Sequence, residues 1–457
     1  MAKKHQIIEV DIEKIEFPDF GLGFYEGARV LVRQGLPGER VRARVFKIKA
    51  GNIHAKTEEV LRESPLKIAP DCALFGSCGG CAYQHIRYRD ELLFKETMVR
   101  TLLDGVLTAP YDFQGIVPAP SPAGYRNKME YTFGDEEKGG ALCLGMRKKG
   151  SFYEAVNVRP CKIAPADFGE ILQTTLDFFK ATPEQFYHRM KQTGTLRNLV
   201  LRKGFFTDEI LVNLVTTSDL KTDLSPWAEA VLKCSLSGKI AGILHTVNNS
   251  PADAVKMDAL RTLYGQDCLT EKLCGLSFKI SPFSFFQTNS RGAALLYATA
   301  KEFAGDCTDQ ILFDLYCGTG TIAQMMSAGA KKVTGIELVA EAVEAAKENA
   351  ERNKIDNCDF IAGDVLAMVD CLAERPDTII LDPPREGIHP KAIKKIIAFG
   401  APTLVYISCK PTSLAQDLAV FTANGYRVVK VKCHDMFPRT GHVETVVLLR
   451  RKTMYTA

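Results

Sequence analysis

Along the first sixty residues apolar and polar positions alternate with a period of two, in short runs broken by glycine. Phe20-Gly21-Leu22-Gly23 and Gly35-Leu36-Pro37-Gly38-Glu39 mark turns, and the pattern predicts a small β-barrel over residues 1–62. From Arg40 to Val45 the alternation is strict: Val41, Ala43 and Val45 fall on one face, Arg40, Arg42 and Arg44 on the other. A helical pattern follows in YRDELLFKETMVRTLLDGV. Residues 111 to about 280 mix strands, loops and short helices, and NLVLRKGFF and EILVNLVTT predict two strands joined by a turn. From Ser281 onward strands and helices alternate, the pattern of a parallel α/β sheet. The predicted division is a barrel (1–62), an α+β middle segment (63–280) and an α/β unit (281–457).

The 46% hydrophobic and 25% charged content is that of an ordinary soluble globular chain, and 457 residues suffice for several domains. No apolar run approaches the length of a membrane span, and MAKKHQIIEVDIEK carries no secretory apolar region. A cytoplasmic location is expected, with the 14 cysteines serving as thiols, ligands or catalytic groups rather than disulfides. The net charge of +4 identifies no partner. Its distribution is more informative: from Arg29 to Lys56 eight basic residues stand against one acid, Glu39. Arg40, Arg42 and Arg44 are therefore candidates for nucleic-acid phosphate contact, against the competing reading of a solvated edge strand.

QILFDLYCGTGTIAQMMSAGA reads as strand, glycine turn and helix, with Gly318 and Gly320 allowing a ligand close to the backbone at a helix N-terminus. The next strand ends at Glu337, 19 residues beyond Gly318, where a carboxylate can accept ribose hydroxyls. A third ends at Asp364, placed for an adenine amino group. Glycines and a later acid also fit a dinucleotide enzyme. Two features favour S-adenosylmethionine: Asp314 four residues before Gly318, and a fourth strand, DTIILDPPREG, ending in Asp382-Pro383-Pro384. Two prolines stiffen a pocket rim, and a similar element frames the target base in many nucleic-acid methyltransferases.

LVYISCKPTSLAQDL is a buried strand that stops at Ser408-Cys409. Ligands of open α/β sheets sit at the carboxyl ends of the strands, so Cys409 shares an edge with Gly318, Glu337, Asp364 and Asp382. Most free cysteines are buried hydrophobes, but a strand tip before a turn suits a nucleophile, and Lys410 beside it favours the thiolate. A thiolate added at carbon 6 of uracil makes carbon 5 able to accept a methyl group, after which a base must remove the carbon 5 proton. VETVVLL, read as an antiparallel return strand, brings Glu444 to the same edge as that base; its alternative role is a rim salt bridge to Arg439.

Cys72-x5-Cys78-x2-Cys81 with a distant Cys161 supplies four thiolates for zinc or an iron–sulfur cluster, and spacing alone does not choose. The other cysteines read as ordinary thiols.

DLYCGTGTIA, LDPPREG, YISCKPTSLAQDL and GHVETVVLL, in that order, resemble the RNA (uracil-5-)-methyltransferases, and the resemblance spans the whole chain. It implies a Rossmann-like catalytic domain, an OB-like TRAM barrel that binds RNA, and an α+β centre. FSFFQTN resembles the element in which Gln287 would contact the methyl donor, and GYRNKMEYTFG the signature that makes Arg126 and Lys128 RNA contacts. By analogy Tyr316, Thr321, Glu337 and Asp364 line the donor pocket, Asp382 lies between donor and uracil, Cys409 is the nucleophile and Glu444 the base. The cysteine run resembles that of ribosomal RNA enzymes holding a [4Fe-4S] cluster, which with the barrel implies 23S ribosomal RNA as substrate, ahead of tRNA, for a monomeric enzyme. A silent RNA-binding assembly factor would have lost Cys409 or Glu444. A radical methylthiotransferase would need a CxxxCxxC site, which is absent. The chain departs from the family at Lys410, often asparagine there, and at Pro438-Arg439-Thr440-Gly441, where the family has a histidine-rich loop.

Overall fold

The structure, a computed structural model, describes residues 2–452 apart from 152–153, 252–256 and 370–371. Cys371 lies outside the described residues. Strands β1 (Ile7–Glu16), β2 (Phe20–Tyr25), β3 (Ala28–Arg33), β4 (Arg40–Lys49) and β5 (Asn52–Arg62) close into a barrel in the order β1-β2-β3-β5-β4. Val41, Ala43 and Val45 point into its core with Val10, Val30, Val32 and Ala55. The β1–β2 crossing is so close that a Cβ on Gly23 would collide with the carbonyl of Asp11.

The outer face of β4 is not the bare basic row that its sequence suggests. Its neighbours in the barrel are β1 and β5, and both are acidic where they meet it. Arg40 pairs with Glu9 at 3.0 Å, Arg42 with Glu59 at 2.6 Å and Arg44 with Glu58 at 2.5 Å. Counting charge along one strand misses acids that pairing places either side of it.

The middle segment does not form one body. Helix α1 (Tyr88–Asp104) and strand β6 (Asp112–Val117) leave it to join the last sheet, described below. The remainder builds a seven-stranded sheet from β7 (Lys128–Asp135), β8 (Leu142–Arg147), β9 (Ala155–Val156), β10 (Leu196–Lys203), β11 (Glu209–Thr216), β12 (Lys239–Val247) and β13 (Ala259–Gly265), in the order β13-β12-β11-β10-β7-β8-β9. Helices α2 (Ala166–Lys180) and α3 (Ser225–Leu232) pack on it. In α2 the buried residues Phe168, Ile171, Leu172, Thr175, Leu176 and Phe179 recur at helical spacing, which gives one apolar stripe. The hairpin β14 (Leu269–Leu273) and β15 (Leu276–Ile280) packs its Leu269, Leu273, Phe278 and Ile280 into the core of the last unit, so the boundary at 280 also falls inside a packed region.

That last unit comprises α4 (Ser290–Ala304), β16 (Ile311–Leu315), α5 (Thr321–Met326), β17 (Lys332–Glu337), α6 (Ala340–Arg352), β18 (Cys358–Ala362), α7 (Val365–Met368), β19 (Thr378–Leu381), α8 (Pro390–Phe399), β20 (Thr403–Ser408), α9 (Pro411–Ala423), β21 (Tyr426–His434) and β22 (Glu444–Arg451). Its sheet runs β18-β17-β16-β19-β20-β22-β21-β6. The strands from β18 to β20 are parallel, and β22 enters antiparallel between β20 and β21. β19 and β20 are buried at every position, as expected of strands covered on both faces. Val99 and Leu103 of α1 pack against Phe421 and Tyr426 on one face, and Phe303 of α4 belongs to the other. Among the described residues no helix is long and apolar enough to cross a membrane.

Candidate active site

The carboxyl ends of β16, β17, β18, β19 and β20 open onto one cavity of about 1620 Å³. At the β16 end the chain turns through positive φ at Tyr316 (70°), Gly318 (54°) and Gly320 (71°). Glycine is required at 320, where a Cβ would stand 2.6 Å from the Phe360 ring. The Gly318 amide donates to Glu337 Oε2 at 3.1 Å, and the Val339 amide donates to Oε1 at 2.9 Å. Asp364 caps α7 by accepting from the Leu366 amide at 2.8 Å. Gln287, Tyr316, Gly318, Thr321, Glu337 and Asp364 all face the cavity.

Asp314 and Gly320 do not line it. Asp314 is fully buried behind the turn, with no hydrogen bond of good geometry to either carboxyl oxygen among the described residues, although the Ala323 amide acts weakly on it. Burial, with a smaller contribution from Asp382, pushes it up to about 8. Gly320 serves the packing of Phe360 instead.

At the other end stand Asp382 after β19, Cys409 after β20 and Glu444 at the start of β22. The register pairs Ser408 with Thr445, so the next step of this antiparallel ladder sets Cys409 beside Glu444. Glu444 is 4% exposed, and burial, then Asp382, raises it to about 8. Burial alone takes Asp382 to about 7. Burial, then Glu444 and Asp382, pushes the Cys409 thiol up to about 11. These three groups form an anionic site that resists full ionisation at neutral pH.

The cation that acts on this group is Arg385, which lowers both Cys409 and Glu444. Lys410 has a different place: its amide donates to Ser408 Oγ at 3.2 Å and its carbonyl starts α9. Arg439 pairs with Glu91 at 3.7 Å rather than with Glu444, which removes the salt-bridge role considered for the glutamate. The sequence reading passed over Arg385 and His442, although both stand inside quoted motifs, LDPPREG and GHVETVVLL. His442 lines the cavity, and burial, then Arg385, lowers it to about 4, so it is a neutral imidazole at pH 7.

Of the expected RNA contacts, Arg126 lines the cavity. Lys128 is half-buried and pairs with Glu130 at 2.6 Å. The cavity continues past Arg126 and Lys149 to Pro18 and Gln34 of the barrel and to Cys81.

Cys72, Cys78, Cys81 and Cys161 meet at the edge of the seven-stranded sheet: each pair among them is close enough for one thiolate to raise another. Burial raises Cys78 and Cys161, and takes Cys81 to about 12. Among the described residues no three His, Cys, Asp or Glu side chains are arranged as a metal-holding group. The donor set nevertheless fits a sulfur-liganded group: the Gly80 amide donates to Cys78 Sγ at 3.4 Å, and Gln84 Nε2 donates to Cys81 Sγ at 3.6 Å.

Comparison with known proteins follows the same lines. The profile of the family described as tRNA (Uracil-5-)-methyltransferase matches residues 190–452. An uncharacterized RNA methyltransferase of Clostridium acetobutylicum is 49% identical over 452 residues, covering 99% of both chains. One from Clostridium tetani is 48% identical over 450 residues, covering 98% of this chain and 99% of the relative. The crystal structure of Pyrococcus abyssi tRNA (uracil-54, C5)-methyltransferase in complex with S-adenosyl-L-homocysteine superposes with a TM-score of 0.76 at 27% identity, covering 96% of this chain and 100% of that one.

Proposed function

Since the chain belongs to the tRNA (uracil-5-)-methyltransferase family, and is accordingly an S-adenosylmethionine-dependent RNA methyltransferase, we propose that it methylates carbon 5 of a uridine through a covalent Cys409 adduct. The observation that carries this is the apposition of Cys409 and Glu444, one step beyond the Ser408–Thr445 pair of β20 and β22, at the opposite end of one cavity from the glycine turn. The Cys409 thiolate adds to carbon 6 of the uracil. The resulting enolate attacks the sulfonium methyl at carbon 5, and S-adenosylhomocysteine leaves. Glu444 accepts the carbon 5 proton, and the electron pair returns to expel the thiolate. Arg385 favours the thiolate, and Asp382 stands between donor and base. Gln287, Tyr316, Gly318, Thr321, Glu337 and Asp364 hold the donor, with Glu337 on the ribose and Asp364 at the adenine. Asp314 and Gly320 shape the turn beneath it.

Cys72, Cys78, Cys81 and Cys161 would hold a [4Fe-4S] cluster. When bound it supplies four iron–thiolate bonds that tie distant segments together. The barrel, residues 1–62, is read as a TRAM-type RNA-binding unit, residues 63–280 as the cluster-bearing centre and 281–457 as the catalytic unit, with α1, β6, β14 and β15 packed onto the last. Arg126 is the leading RNA contact. Lys128, Arg40, Arg42 and Arg44 contribute only where phosphate displaces their carboxylates. The substrate is 23S ribosomal RNA for a monomeric cytoplasmic enzyme, a reading supported by the cysteine set and the barrel. The likeness to an enzyme named for tRNA uracil 54 supports the alternative, a tRNA uridine.

Incubation with methyl-labelled S-adenosylmethionine and either RNA tests this. Label should enter 5-methyluridine, and Cys409→Ala should abolish transfer while donor binding persists. Transfer by Cys409→Ala at near the wild-type rate would refute the mechanism.

A further inference from the structure

The segment Asp435–Gly441 joins β21 to β22 and ends three residues before Glu444. Nearly every residue in it is held by a different part of the chain. The Asp435 amide donates to Val117 O at the end of β6, 2.9 Å. Asn289 Nδ2, at the start of α4, donates to Met436 O, 2.9 Å. The Tyr125 hydroxyl donates to Pro438 O, 2.9 Å. The Ala82 amide, one residue past Cys81, donates to Arg439 O, 2.7 Å. At Gly441 a Cβ would run into Pro18 O of the barrel.

At the middle of this hub is Lys95, on α1, whose side chain has no solvent exposure. Its ammonium donates to Glu91 Oε1 at 2.8 Å, to Asp435 Oδ1 at 2.7 Å and to Phe437 O at 3.2 Å, which uses all three N–H groups. Tyr88 holds the other oxygen of Asp435, its hydroxyl donating to Oδ2 at 2.8 Å. Glu91 Oε1 also accepts the Arg439 amide at 2.7 Å. Two of the three bonds from Lys95 therefore end on the loop itself, and one of those on a main-chain carbonyl.

Burying the three charges of Lys95, Glu91 and Asp435 is an inefficient way to gain stability, because apolar side chains of the same volume do as well. What the ammonium supplies and a methionine cannot is direction. We propose that Lys95 is a positioning residue for the base: it fixes the carbonyl of Phe437 and the carboxylate of Asp435, and so the approach of Glu444 to carbon 5. The inference rests on the assignment of Glu444 above.

The test separates positioning from charge balance. Lys95→Met leaves Glu91 and Asp435 facing Arg439 alone. Lys95→Met/Asp435→Asn restores neutrality, with Glu91 against Arg439, yet still lacks the bond to Phe437 O. Tyr88→Phe loosens Asp435 without changing any charge. Each variant is given S-adenosylmethionine and a single turnover of RNA tritiated at carbon 5, and methyl incorporation is timed against tritium release. In the double variant methyl incorporation should stay near the wild-type rate while tritium release falls about tenfold, with a covalent protein–RNA band on a denaturing gel and unchanged donor affinity. Tyr88→Phe should show the same lag in weaker form, and decides the matter alone should the double variant fail to fold. Tritium release keeping pace with methylation in the folded variants would make Lys95 a charge-balancing group and overturn the proposal. Glu444→Gln, run in parallel, must itself lag. Its failure to do so would instead remove the base assignment.

Discussion

Replacing Glu444 with glutamine should make Cys409 more reactive and the enzyme slower. The wild-type thiol is raised from about 9 to about 11, with Glu444 the largest charge responsible after burial. At pH 8 that shift lowers the thiolate fraction from roughly 10% to roughly 0.1%. The more basic thiolate is intrinsically a better nucleophile, by about one power of ten over two pKa units. Iodoacetamide should therefore alkylate Cys409 about tenfold more slowly than an unperturbed cysteine. Glu444→Gln removes the neighbouring negative charge but keeps size and burial, so alkylation should accelerate toward the unperturbed rate, leaving only the contributions of burial and Asp382. Turnover should move the other way, since the adduct forms but its carbon 5 proton has no acceptor. Mass spectrometry of the alkylated active-site peptide over time, beside an adduct gel, measures both. Alkylation no faster in Glu444→Gln than in wild type at pH 9, where the wild-type carboxyl, raised to about 8, is mostly ionised, would mean that the carboxylate does not act on the thiol and that their apposition has been misread.

Asp314→Asn should stabilise the protein at pH 8. The native carboxyl, raised to about 8, keeps its proton where the unfolded carboxyl, near 3.8, has lost it, so wild-type stability falls as pH rises from about 4 to 8. The asparagine variant should melt higher than wild type at pH 8 and show no advantage at pH 4 by thermal denaturation. Arg126→Ala should weaken RNA binding more than Arg40→Gln/Arg42→Gln/Arg44→Gln, because the barrel arginines already face Glu9, Glu58 and Glu59. Fluorescence anisotropy across a salt series measures both, and a larger loss in the triple variant would restore the basic row as the main phosphate contact. Protein purified without oxygen should contain about four irons and four sulfides per chain, and Cys161→Ala should lower both; stoichiometric zinc instead would refute the cluster assignment.

The sequence was most legible where the physics is local. Strict alternation in β4 placed Val41, Ala43 and Val45 inside the barrel, and the glycine turn at 318–320 announced itself because only certain residues tolerate that backbone. It was least legible for charge. Lys410, beside Cys409 in sequence, is turned into a helix start, whereas Arg385, 24 residues away, supplies the positive potential at the sulfur. The arginines of β4 looked unopposed only because their acids come from other strands. Helix α1 carried a clear periodic pattern but no sign of which sheet it would cover, since an apolar stripe is complementary to any core of suitable shape.

The order of residues along the chain specifies which chemical groups exist and the local geometry of the segments that carry them: a cysteine at a strand tip, a carboxylate opening another strand, four thiols, a glycine turn. Which of them meet depends on how the folded chain packs. The antiparallel entry of β22 sets Glu444 beside Cys409, and a segment held by six other regions of the chain, a buried lysine among them, leads into it. Propensity and periodicity act over a few residues, whereas proton affinity and ion pairing depend on whatever the fold brings within a few ångströms.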